Sequence, residues 1–93
     1  MNAKIIFRVH AIQRMFERRI SYKKVRRILE TGETIEDYSA EMAEPSCLIL
    51  GFEGKRPIHI VASENSETNE TTIITVYIPD LDKWNKNFRS RRS

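Results

Sequence analysis

ILETGETIEDY, residues 28–38, is where the chain changes character. Before Gly32 apolar residues recur every three to four positions, and from Glu33 onward they tend to alternate with polar ones. The first period marks an amphipathic helix and the second a half-buried strand. Helices followed by strands within 93 residues predict an α+β fold, with two N-terminal helices packed on an antiparallel sheet of four to five strands.

Working back from Gly32, residues 22–31 read as a helix that buries Tyr22, Val25, Ile28 and Leu29 and presents Lys23, Lys24, Arg26 and Arg27 outward. Ser21 is a good N-cap, and Gly32 is expected to close the helix in the left-handed conformation. Residues 10–19 read as an earlier helix with a buried stripe of Ala11, Ile12, Met15 and Phe16. Ahead of it, Ile5, Ile6 and Phe7 suggest a short first strand.

Working forward, four strands are expected at 34–38, 47–51, 57–62 and 72–78, joined by turns at 53–55 and 64–70. Alternation assigns Leu48, Leu50, Phe52, Ile58, Ile60, Ala62, Ile74, Val76 and Ile78 to the helix-facing side. The other side would carry Ile49, His59, Val61, Ile73, Thr75 and Tyr77. It is too apolar to be merely solvated and polar enough to be a site or a partner-binding face. Trp84 then opens a basic tail, about residues 85–93. A chain of this length buries only about 60 to 65% of its unfolded surface, so one domain spanning 1–93 is expected.

The hydrophobic share of 40% and charged share of 31% fit a soluble globular domain. No apolar run approaches the roughly 20 residues that cross a bilayer, and no secretory pattern opens the chain, so a cytoplasmic protein without membrane contact is expected. Cys47, the single cysteine, can form no intrachain disulfide. It lacks the spacing of a zinc site and reads as a buried strand residue. No metal or nucleotide cofactor is expected.

The net charge of +3 conceals a segregation. Residues 1–32 carry nine Lys and Arg against two Glu, residues 33–70 two against nine carboxylates, and residues 71–93 five against two. Such a chain can turn a positive face to a polyanion such as RNA, although solvated helix faces give the same pattern.

Three constellations could carry chemistry. His10, Arg14 and Arg18 recur at i, i+4 and i+8 and would line one side of the first helix, drifting by about 40° per step. Such a row supplies phosphate ligands and a group able to move a proton, as cleavage of RNA by its own 2′-hydroxyl requires. His59 and Tyr77 are expected side by side on the second sheet face, either as an acid and base pair or as a satisfied buried histidine bonded to a tyrosine hydroxyl. Trp84 with Arg89, Arg91 and Arg92 combines an aromatic ring with cations, suited to RNA or to a structural lid over the sheet.

The ordered set His10-Ala11-x-x-Arg14-Met15-x-x-Arg18, Ile20-Ser21, Pro45-Ser46-Cys47-Leu48-Ile49-Leu50-Gly51, Pro57-Ile58-His59-Ile60-Val61 and Ile74-Thr75-Val76-Tyr77-Ile78-Pro79-Asp80 with Trp84 resembles a small bacterial family of unknown function. That family is similar to the RelE-like toxins. The resemblance implies a RelE-like fold and a toxin of a toxin–antitoxin pair, acting on RNA, on or off the ribosome, as an mRNA interferase without metal. It also implies a small antitoxin partner, often a zinc-ribbon protein encoded alongside; the same basic surface would equally serve a non-catalytic RNA- or ribosome-binding module, or a protein-binding partner of an acidic antitoxin. Its catalytic residues would be His10, Arg14, Arg18, His59 and Tyr77. Where relatives commonly have glycine after the arginine-bearing helix, this chain has Arg19.

Overall fold

The computed structural model describes residues 4–38 and 45–93. Residues 1–3 and 39–44, the latter with two of the nine carboxylates counted over 33–70, lie outside them. The elements run β1 (Lys4–Phe7), α1 (Val9–Arg18), α2 (Tyr22–Thr31), β2 (Glu33–Asp37), β3 (Cys47–Glu53), β4 (Arg56–Asn65) and β5 (Glu70–Tyr77). They form a five-stranded sheet in the order β1-β5-β4-β3-β2. The meander of β2 to β5 is antiparallel as the sequence suggests, but β1 pairs with β5 in parallel, so the sheet is mixed. Both helices lie in the chain between β1 and β2, and the meander brings β5 back beside β1.

The Arg8 backbone N–H bonds to the Ile73 carbonyl at 3.1 Å, so sheet pairing runs on directly into α1, whose start has no side-chain cap. The helix closes on Arg19, in the left-handed conformation at φ 54° and ψ 47°. Ile20 N–H bonds to the Met15 carbonyl at 2.9 Å and Arg19 N–H to that of Phe16 at 3.3 Å, and both Ile20 and Met15 are buried. This is a Schellman closure made without the usual glycine. Ser21 caps α2 as read, its hydroxyl accepting from Lys24 N–H at 3.1 Å.

Gly32 does not take the left-handed conformation expected of it. Its backbone is extended, and the absent side chain serves close packing, since a Cβ there would lie 2.6 Å from the Ile28 carbonyl oxygen. Gly51 plays a similar part on β3, where a Cβ would lie 2.5 Å from the Ile28 side chain. These two bare positions let α2 settle on the sheet.

The helix-side core contains Ala11, Met15, Ile20, Val25, Ile28, Ile49, Ile58, Ile60, Ala62, Ile73 and Val76. Two strand assignments therefore change. On β3 it is Ile49 that faces the helices, while Leu48 packs on the opposite side with Trp84. The run Leu48-Ile49-Leu50 is apolar on both faces, so alternation alone left its register undetermined. On β5 the pairing slips between Val61↔Thr75 and Ala62↔Ile73, leaving one extra residue. This bulge puts Ile73 and Val76 on the same side and sends Ile74 to the other.

The predicted stripe of α1 divides as well. Ala11 and Met15 are buried, but Ile12 and Phe16 are 53% and 85% exposed. α1 has only one buried flank, against β5, too narrow to cover four apolar positions.

The second sheet face is covered by the chain itself. Residues 80–92 fold back over Leu48, Val61, Ile74 and Tyr77, with the Trp84 ring buried among them at 2% exposure. Trp84 and Arg91 form an antiparallel bridge, and Arg92 N–H bonds to the Lys83 carbonyl at 2.9 Å. The segment read as a basic tail is thus a strap tied down over the sheet.

Candidate nucleic-acid interface

Alternation on β4 puts His59 between Ile58 and Ile60 in sequence but on the opposite face, under the strap, with no exposed surface. Its Nε2 lies 2.8 Å from the Phe88 carbonyl oxygen, which can only accept, so Nε2 carries the proton. Nδ1 is left as acceptor for the Tyr77 hydroxyl at 3.2 Å. Burial pushes the imidazole below its ordinary value, against smaller opposing pulls from the Phe88 carbonyl and Glu36. Burial likewise raises the Tyr77 hydroxyl. This is the satisfied buried histidine of the two readings offered by the sequence, and the pair ties the strap to the sheet.

Trp84 and three of the strap's arginines are committed in the same way. The His59 ring stands edge-on to Trp84 with centroids 4.5 Å apart, and the Arg91 guanidinium covers the indole at 4.5 Å. Trp84 is therefore a lid and has no free face for stacking on a base. Arg91 grips Glu36 with two bonds of 3.0 and 3.1 Å, and Arg89 pairs with Glu33 at 2.7 Å. Arg92 bonds through Nε to the Leu81 carbonyl. Burial, which alone would raise the Glu36 carboxyl, is outweighed by hydrogen bonds from Arg91 and Tyr38, so the group sits below its ordinary value. Burial and the bond to Glu36 push Tyr38 up to about 12. Two carboxylates of the acidic middle, Glu33 and Glu36, thus neutralise two C-terminal cations, Arg89 and Arg91.

The helical layer is different. His10, Arg14 and Arg18 are all exposed along α1, with Arg14 holding Glu17 at 2.9 Å. Lys23, Arg26 and Arg27 are exposed on α2 and Lys24 is half-buried, and none of the four has an ion-pair partner among the described residues. Arg56, which sequence reasoning missed, reaches from β4 to the end of α1. Its guanidinium donates to the carbonyls of Arg18 at 2.6 Å and Arg19 at 3.2 Å, and it also pairs with Glu53. A cation on these orphan carbonyls complements the helix dipole and fixes the backbone that carries Arg18. No local pattern could have foretold a bond across 38 positions.

The five residues expected to form one catalytic site therefore fall into two groups. His10, Arg14 and Arg18 belong to the helical layer, whereas His59 is buried and Tyr77 half-buried beneath the strap on the other side of the sheet. Cys47 is half-buried on β3, and burial raises its thiol, which suits an unreactive side chain.

The profile of the domain of unknown function DUF4258 matches residues 7–78, from the end of β1 to just beyond β5. The chain belongs to the DUF4258 family. The matched stretch takes in α1, α2 and His59, and the strap from residue 80 lies beyond it. Neither a curated protein nor a solved structure matches the chain.

Proposed function

We propose that this DUF4258 protein is a toxin of a toxin–antitoxin pair that grips RNA on its helical layer and cleaves it there without metal, in the manner of the RelE-like proteins it resembles. The observation that carries the reading is the division of charge. The strap's Arg89 and Arg91 are spent on Glu33 and Glu36, while the cations of α2 have no described ion-pair partner and lie on the helical side of the sheet, as do the exposed His10, Arg14 and Arg18 of α1. Lys23, Lys24, Arg26 and Arg27 supply docking charge for the phosphate backbone. Arg14 and Arg18 neutralise charge building on the phosphorane, and His10 moves the proton. The burial of His59 and its bond to the half-buried Tyr77 leave the pair a supporting part.

A second reading, a non-catalytic RNA- or ribosome-binding module, is favoured by that same burial, because it leaves His10 as the only histidine at the surface. Inducible expression in bacteria followed by mapping of 5′ ends in cellular RNA separates the two. New ends that vanish in a folded His10→Ala variant support cleavage by α1. Intact RNA, with binding that weakens steeply as salt is raised, selects the second reading.

A further inference from the structure

Between α2 and the helix-facing side of the sheet lies a cavity of about 50 Å³. Its walls are largely aliphatic, with Ile5, Ile49 and Ala62 from three strands, Leu29 from α2, and Cys47 paired beside Ala62. A water-sized group takes about 10 to 15 Å³ of such space, so the chamber holds roughly three or four methyl-sized groups. A lining of this kind favours hydrocarbon over water, and a branched aliphatic chain entering it leaves water entirely.

The exposed members of the lining are Arg26, Glu30 and Glu64, which put three charges at the mouth. Arg26 and Glu30 stand one turn apart on α2, in the order that makes the weaker helical pair, and form no ion pair with each other. Glu64 has no ion-pair partner among the described residues either. It is the cross-strand neighbour of Thr71, which is 7% exposed and lines the same cavity.

We infer that this cavity is a binding site for a free aliphatic α-amino acid with a side chain of valine to leucine size. The side chain fills the chamber. The ammonium group has three N–H donors, and Glu30, Glu64 and the Thr71 hydroxyl are acceptors for them. The carboxylate pairs with Arg26, whose planar guanidinium can meet both of its oxygens. A plain amine or a plain carboxylic acid of the same shape leaves part of this charge unused. The inference does not rest on the RNA reading and shares with it only Arg26.

Amide chemical shifts of the isotope-labelled protein, followed during titration with leucine, isopentylamine, isocaproate and glycine, test it. Leucine is expected to bind saturably and to shift the amides of Cys47, Ala62 and Thr71. Isopentylamine and isocaproate, each lacking one charged end, should bind about tenfold more weakly, and glycine, lacking the side chain, more weakly still. Glu64→Gln lies at an exposed position, keeps the fold, and should weaken leucine binding about tenfold. Absence of saturable leucine binding, either truncated probe or glycine matching leucine, or binding indifferent to Glu64→Gln overturns the inference. So do shifts confined to residues away from the cavity. Leucine binding in a protein with no affinity for RNA upholds this site and removes the RNA reading alone.

Discussion

Arg19 occupies a backbone conformation that costs any residue with a Cβ about 1 kcal/mol, yet it closes α1 with full hydrogen bonding. Arg19→Gly relieves that strain but adds freedom to the unfolded chain, so a net gain of about 0.5 kcal/mol is expected in urea unfolding. His59 makes the opposite kind of claim. Its folded-state value is depressed, so the unfolded chain binds more protons in the interval below the ordinary value of 6.5. Its contribution to stability is complete above 6.5 and declines as pH falls toward the folded value. Unfolding midpoints should drop across that interval in the wild type and drop less in His59→Gln. That variant should already be less stable by about 1 to 3 kcal/mol at neutral pH, because the Phe88 carbonyl and the Tyr77 hydroxyl lose a fitted partner. An unchanged pH profile in His59→Gln would contradict the structural role.

At the scale of the elements, α2 depends on two bare glycines in the surface beneath it. Gly51→Ala sets a methyl group against Ile28 and is expected to cost about 1 to 3 kcal/mol, read as a lowered midpoint in chemical denaturation. The helices and the meander were legible in the sequence because Ser21, the 3.6-residue period and the switch at Glu33 are local signals. What escaped was set by distant partners. The β3 register was hidden because Leu48, Ile49 and Leu50 suit either face. The β5 bulge and the parallel β1–β5 pair leave no mark in alternation. The exposed half of the α1 stripe was mistaken for core because periodicity shows that a face is apolar, not what covers it. The candidate site was legible in the same measure. The cations of α1 and α2 could be read from spacing, whereas Arg56 at the end of α1 and the strap over His59 depend on bonds across dozens of residues.

On the scale of the whole molecule, the sheet separates two electrostatic regimes. One side carries the helices, with Lys23, Lys24, Arg26 and Arg27 free of described ion-pair partners. The other carries the strap, its Arg89 and Arg91 locked to Glu33 and Glu36 and its Trp84 buried. On the function proposed above, the helical layer is what meets a polyanion, while Arg89 and Arg91 help to close the sheet. Binding of a labelled single-stranded RNA across a salt series tests that division most directly. The variant Lys23→Ala/Arg26→Ala/Arg27→Ala should bind about tenfold or more weakly and show a shallower salt slope, by about one unit for each phosphate it no longer neutralises. Arg89→Ala and Arg92→Ala should leave affinity and slope nearly unchanged. The reverse pattern, with the strap variants losing affinity and the α2 variant retaining it, would contradict the account.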